Sequence, residues 1–477
     1  SSLHLEAELG RDAVDLKNLE FISGESLKLE VTGSLKHFAK PVWQTTVKGT
    51  VGLKQVSVLT NVDGLDAGTV DLDLNGHSCE VTPAVAQKRP NFWQRSRAKP
   101  QTKQLPPSPE CSEGYLLVGT AKIHKAAYRN EYVRLHDVDG HATLHVTPSE
   151  LLLKTATGYL PGGGSASGDF WIMNWLGEAP ANAPATSPTA KAAVTTADTS
   201  AKSIGAKPLV TGPLEMPKVQ PAHAYIVATL TKIPLRTIMD VTAPEHEGDL
   251  GFDTAVSGPV KVEWGGSTKD IASTVEVDGN LTFAPTGVSR PGALSNVPVT
   301  GQTVAHYTGS NETVLIQQLT LQTPGSTLDA SGVLGVNEGD PLTVLRTDLT
   351  VRNLGEFNQL LTTLDLEGNG KRGAAAIPVV LHGAMQFNGT ARGAIADLHV
   401  KGHLQAANVE FAMDRTDVLI DSVVADGEYS PNSGVALVSS TIKRGGAVLN
   451  VEGRLVPRKD MSSHHRATYT WDDGMSV

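Results

Sequence analysis

Over most of the chain apolar and polar residues alternate one for one in short runs. That period of two belongs to a β-strand, whose successive side chains point to opposite faces. Leu27-Lys28-Leu29-Glu30-Val31 is one such run, and Val70, Leu72 and Leu74 form another before Gly76. Asp63-Gly64 and Asn75-Gly76 are turn signals between runs. Alternation also covers Val51, Leu53, Val56 and Val58, which therefore read as strand, and then Tyr115–Ile123, Val133–Leu135, Ala142–Val146 and Leu151–Thr155. Thr147-Pro148-Ser149-Glu150 reads as a turn, with proline where its fixed φ helps. One module recurs. Val314–Leu334 reads VLIQQLTLQTPGSTLDASGVL and Leu437–Leu455 reads LVSSTIKRGGAVLNVEGRL. Each is an alternating strand, a turn with glycine (Gly325, Gly446), a second alternating strand, and a later glycine (Gly332, Gly453). A hairpin repeated in this way predicts a long, one-sided β surface. The two late glycines are candidate bend points where the sheet curls.

The interruptions divide the chain. Residues 1–177 form an N-terminal β segment, broken at 80–113 by an irregular insertion that contains Lys99-Pro100 and Leu105-Pro106-Pro107-Ser108-Pro109. Residues 178–222 are Pro, Ala, Thr, Ser and Lys with few large apolar side chains, the composition of a linker or disordered loop. A second β segment spans 223–457, and 458–477 is a polar tail expected to fray. Two short stretches have helical spacing: Ile233–Val241, and Leu354–Leu364 with Leu354, Phe357, Leu361 and Leu364 on one face.

Composition agrees with strands and turns. Aromatics are 5% of the 477 residues, whereas Gly (47) and Pro (27) are plentiful. The net charge of −10 and the lack of a sustained Lys/Arg stripe speak against nucleic acid as a partner. The basic run Lys88-Arg89-Pro90 with Arg95, Arg97 and Lys99 reads as part of a solvated insertion. Cys79 and Cys111 bracket that insertion; they either staple its base or stand as two thiols. No apolar run is long enough to cross a membrane as a helix. The chain opens on Ser1-Ser2-Leu3 already in a strand pattern, and reads as a segment of a longer protein.

Catalytic chemistry is not evident. There is no Gly-x-Ser-x-Gly elbow, and Gly162-Gly163-Gly164 lacks the following helix and Lys-Ser/Thr pair of a phosphate cradle. His136, His141 and His145 cluster, but His141 and His145 share a strand face about 13 Å apart, too far for one metal ion. Asp63, Asp139, Asp278 and Asp426, each before glycine, lack the acidic spacing of calcium loops and read as hairpin turns. Trp171 and Trp175 read as core or groove lining. The expectation is a non-enzyme with no metal, no cofactor and no catalytic residues.

Leu135–Ile172, LHDVDGHATLHVTPSELLLKTATGYLPGGGSASGDFWI, resembles the repeating strand pattern of the AsmA-like superfamily, its TamB-type members in particular. Thr347–Phe411 resembles it too, through TDLTVRNLGEFNQLL and then PVVLHGAMQFNGTARGAIADLHVKGHLQAANVEF, and Asp417–Leu455 continues it. The resemblance covers most of 115–176 and 223–457 and, more weakly, 1–78. It rests on a succession of degenerate glycine-and-alternation motifs. It implies a mainly β fold: an elongated, curled sheet trough, like a folded taco or a β-solenoid, with a few short helices. It further implies a periplasmic location in a diderm bacterium, with an inner-membrane anchor outside this segment. The implied function is a hydrophobic groove that carries phospholipid between inner and outer membranes, assists outer-membrane protein assembly with an outer-membrane β-barrel partner, or both. The alternative is a structural or adhesive β-solenoid with a closed core.

An apolar trough needs only a continuous apolar face. About 25 strands at roughly 4.8 Å would extend it to about 120 Å. The residues expected to line it are Leu319, Leu321, Leu328, Ala330, Leu381, Met385, Phe387, Leu398, Val400, Leu404, Val409, Phe411, Leu437, Leu449, Val451 and Leu455. Alternation alone does not separate that lining from a sandwich core, because an inward face is apolar in both.

Overall fold

The computed structural model describes residues 2–24, 26–60, 64–79, 114–129, 133–173, 223–242, 251–265, 271–287, 296–336, 342–358, 379–394, 397–413, 416–430, 433–455 and 464–471. Its strands are β1 (Ser2–Leu9), β2 (Ala13–Ser23), β3 (Leu27–Lys36), β4 (Val42–Gly52), β5 (Leu65–Ser78), β6 (Tyr115–Arg129), β7 (Arg134–Val146), β8 (Glu150–Tyr159) and β9 (Ser165–Met173). There follow β10 (His223–Pro234), β11 (Phe252–Asp253), β12 (Ala255–Gly265), β13 (Glu276–Ala284), β14 (Val297–Pro298), β15 (Thr300–Thr308), β16 (Thr313–Gln322), β17 (Ser326–Gly335) and β18 (Thr343–Val351). The last are β19 (Val379–Gly393), β20 (His399–Met413), β21 (Thr416–Ser430), β22 (Gly434–Arg444), β23 (Ala447–Leu455) and β24 (His464–Trp471). Helices are short: α1 (Leu53–Thr60), α2 (Leu235–Thr242), α3 (Ile271–Thr274) and a 3-10 turn at Leu354–Phe357.

Twenty-two of these strands form one antiparallel sheet, elongated and not closed into a barrel. Each pairs with the strand before it and the strand after it, so the sheet is a continuous meander. β11 and β14 stand apart as a parallel pair. At about 4.8 Å per strand, the sheet extends roughly 105 Å along its hydrogen-bonding direction. The two β segments expected on either side of 178–222 are one sheet, because β9 and β10 pair from Ser165–Thr231 to Met173–His223.

Four local differences from the alternation pattern have simple causes. Val51 with Leu53 and Val56 with Val58 are two apart, yet 53–60 is α1; the step of three from Leu53 to Val56 breaks the strand period and fits a helical turn. Ile233 belongs to β10, which ends at Pro234, and α2 begins only at Leu235. Of the stretch 354–364, a 3-10 turn is seen at Leu354–Phe357 and residues 359–364 lie outside the described ones. Within the tail expected to fray, His464–Trp471 pairs with β23 along its length, because Thr468, Tyr469, Thr470 and Trp471 are strand formers. The expected insertion at 80–113 and linker at 178–222 lie outside the described residues.

Most connections are tight, but they differ between the two lips of the sheet. α1, α2 and the 3-10 turn all sit at the lip where β2 meets β3 and β4 meets β5. Leu27, Val51, Ile233, Val256 and Val351 lie near this lip and are buried. Asp253, also buried, accepts from Thr286 N (2.9 Å), Thr286 Oγ1 (2.5 Å) and Gly287 N (3.1 Å), tying the segment after β13 to β11. Asp253→Ala strips an acceptor from three donors and is expected to cost about 2 kcal/mol in urea unfolding, with Asp253→Asn recovering part.

Candidate functional site: an apolar face along the whole sheet

Directly paired residues of neighbouring strands share a face, so the registers can be read across the sheet. One row runs Leu19–Val31–Val47–Leu74–Gly119–Leu144–Leu153–Phe170–Ile226–Val262–Val277–Tyr307–Val314–Leu334. A second runs Leu321–Leu328–Leu349–Phe387–Leu404–Ala425–Ser440. The opposite face carries rows such as Lys28–Thr50–Asp71–Lys122–His141–Thr157–Ser167–Thr229. The rows on one face, from β2 to β22, are thus mostly apolar, and the opposite face is more polar, with apolar positions such as Leu152 and Tyr225 among its polar ones.

Bulges preserve this segregation. Between Leu16 and Leu19, Leu153 and Ala156, and Ile316 and Leu319 the register shifts, so apolar residues three apart share the face. Thr155, in the second bulge, has φ 49°, and its N–H is held by Asp169 Oδ1 at 2.9 Å. A side-chain acceptor thereby replaces the lost ladder bond.

Curvature is built by glycine. Gly332 has φ +130°, and a Cβ there would overlap the Val344 carbonyl oxygen on the next strand. Gly168 makes the same approach to the Val227 carbonyl. Both glycines lie in apolar-face rows, Gly332 opposite Ile316 and Leu345, Gly168 opposite Ala156 and Ala228. The backbones crowd together on that side, as they do where a sheet curls.

The residues expected to line a groove fall as follows. Leu319 pairs with Ala330, Leu321 with Leu328, Leu381 with Phe411, Phe387 with Leu404, and Met385 with Val351 and Ala406. Val400 pairs with Ala391, Val409 with Ile420, Leu437 with Gly453, Leu449 with Ile442, Val451 with Ala467, and Leu455 with Val435. Leu398 precedes β20, outside the ladder. The described side chains of this set are half-buried, neither shut into a core nor fully exposed; those of Phe411 and Leu455 lie outside the described ones. Buried hydroxyls on the same face are satisfied: Thr303 Oγ1 donates to the Gln318 carbonyl at 3.1 Å and Ser440 Oγ to that of Val451 at 2.7 Å.

Trp171 is not on this face. It belongs to the outer row His145–Leu152–Trp171–Tyr225 and lies 6.3 Å from the Tyr225 ring, so its groove-lining reading is corrected. Trp175 lies outside the described residues. Cys79 is disulfide-bonded, and its N–H donates to the Gly114 carbonyl at 3.0 Å; Cys111 lies outside the described residues. Among the described residues no cluster of His, Cys, Asp and Glu has metal-binding geometry, and no helix is long and apolar enough to cross a membrane.

The outer face is laced by histidine–carboxylate contacts between strands. His399 Nδ1 lies 2.6 Å from Glu428 Oε1, His403 Nδ1 2.8 Å from Asp426 Oδ1, and His306 Nδ1 2.7 Å from Asp278 Oδ1. The Glu428 hydrogen bond, reinforced by the charge of Asp397, raises the His399 pKa. A raised folded-state value means that the pair stabilises fully below the unfolded pKa of about 6.5 and loses its effect as pH rises through the folded value. His145 and His223 show the opposite: burial lowers both, so their effect is present at neutral pH and fades on acidification. His399→Gln is therefore expected to lower the melting temperature slightly at pH 5.5 and not at pH 8.5, as differential scanning fluorimetry across that range would show. No family model matches the chain, and no curated protein and no solved structure is significantly similar to it.

Proposed function

We propose that the apolar face is a conduit for phospholipid acyl chains. The observation that carries this reading is the pair of largely apolar rows that together run from β2 to β22 on one face, half-buried at positions such as Leu321 and Leu404, with Leu449 continuing the face on β23. A lipid crossing water exposes its tails at about 0.8 kcal/mol per CH₂, so a chain of about 16 carbons costs on the order of 12 kcal/mol. A continuous apolar track removes most of that cost along its length and needs no specific contact. Rows of interchangeable Leu, Val, Ile and Ala suit this task, and curling toward the apolar side encloses the tails while leaving a mouth for a polar head.

The resemblance to the AsmA-like superfamily supports placing this track in the periplasm of a diderm bacterium. There it would serve phospholipid movement between membranes or, with an outer-membrane β-barrel partner, protein assembly. A photoreactive amino acid at Leu321 or Leu449 is expected to crosslink to phospholipid in cells, whereas one at Thr320 or Asn450, on the polar face, is not. Equal labelling of both faces, or none at either, would count against the conduit.

A further inference from the structure

A cleft of about 610 Å³ opens at the helix-bearing lip, between β14, the β16–β17 turn and the end of β18. Val297, Pro298 and Pro324 give it apolar walls, and Asn296, Arg352 and Glu356 give it polar ones. It adjoins the end of the apolar face, where Ser326 pairs with Val351. Arg352 is exposed; its side chain donates one long bond, Nη2 to the Pro324 carbonyl at 3.4 Å, and it makes no ion pair among the described residues. Glu356 is half-buried and anchored on one side. Its Oε2 accepts from Thr323 Oγ1 (2.8 Å) and Ser326 Oγ (3.0 Å), and the Gly325 N–H is shared between Oε1 and Oε2 at 3.2 Å each; among the described residues Oε1 has no other donor. A carboxylate has room for about four donors, so Oε1 retains acceptor capacity toward the cleft.

One fixed cation and one fixed anion, not paired with each other, in an amphipathic cleft at the end of an apolar track call for a ligand with the converse arrangement. We propose that this cleft takes the zwitterionic headgroup of a phospholipid bearing a primary ammonium, its phosphate on Arg352 and its ammonium on Glu356 Oε1. The inference rests on the conduit reading and adds headgroup selection to it. A guanidinium matches two phosphate oxygens with paired N–H donors. The carboxylate discriminates against headgroups that lack the ammonium, since a headgroup that covers Oε1 without offering a donor desolvates it uncompensated.

The test is binding of dihexanoyl-phosphatidylethanolamine and dihexanoyl-phosphatidylglycerol, both below their micelle concentrations, by isothermal calorimetry on the whole chain. The wild type is expected to prefer the ethanolamine lipid by about tenfold; Arg352→Gln should weaken both by about tenfold, and Arg352→Lys should restore most of the loss. Glu356→Gln should abolish the preference; if it loosens the lip, the Arg352 variants still decide, because that side chain is exposed. Equal affinity of wild type and Arg352→Gln, or equal affinity for the two lipids, overturns the inference. So does free phosphoethanolamine binding as tightly as the lipid, which would make the cleft a site for a soluble solute. Long-chain lipid retained by the same preparations, read by mass spectrometry, separates the two failures: retention with an indifferent cleft sinks only the headgroup site, and no retention sinks the conduit as well.

Discussion

Leu321→Asp is expected to fold and to lose bound lipid. Leu321 sits between Gly301 and Leu328 on the apolar face and is half-buried, so water can reach a carboxylate placed there. In an open trough the change costs the lost apolar contact and little else, about 1–2 kcal/mol. In a closed core the same carboxylate would be desolvated without a partner, a change of about 4 kcal/mol or more that commonly prevents folding. Urea unfolding followed by circular dichroism, with lipid content measured on the same sample, separates the two. A folded variant depleted of lipid supports the conduit. A variant that unfolds supports the closed structural solenoid.

Gly332→Val should damage the protein more than any surface change on the same hairpin. The substitution places a β-branched side chain at φ +130° and drives its Cβ into the Val344 carbonyl oxygen. Backbone strain of this kind costs about 1–3 kcal/mol. Separating β17 from β18 to relieve the overlap breaks ladder bonds in addition, so a total of about 3 kcal/mol or more is expected. Gly445→Ala is the matched control: Gly445 has φ +56°, and nothing lies within 4 Å of a Cβ there. Its cost should be about 1–2 kcal/mol. If the two variants unfold at the same urea concentration, close strand approach at Gly332 is not what shapes the sheet.

Much of this architecture is legible in the sequence, and the parts that are not share a cause. Alternation at Leu27–Val31 and in the repeated hairpins predicts strands and assigns side chains to faces, because a period of two leaves few other readings. The glycines at 332 and 453 announce bends for a similar reason, since no other residue tolerates their φ of +130° and +114°. Parity fails wherever a bulge inserts a residue. At Thr155 the αL geometry depends on Asp169 from the next strand, a tertiary contact with no local signature. A strand reading of Leu53, Val56 and Val58 also fails, because it passes over the step of three between Leu53 and Val56. Continuity across 178–222 is a pairing of β9 with β10, which composition of the intervening residues cannot report. The lip cleft joins residues from three separated segments, so no motif marks it. Openness is absent from the pattern as well: Leu321 and Leu449 alternate in the same way whether they face a packed core or a lipid.

Native mass spectrometry of the chain, purified from a diderm host without detergent, tests the conduit most directly. The account predicts protein carrying phospholipid adducts, depleted in Leu321→Asp and unchanged in a polar-face control such as Thr320→Asp. Protein free of lipid in both forms would contradict it.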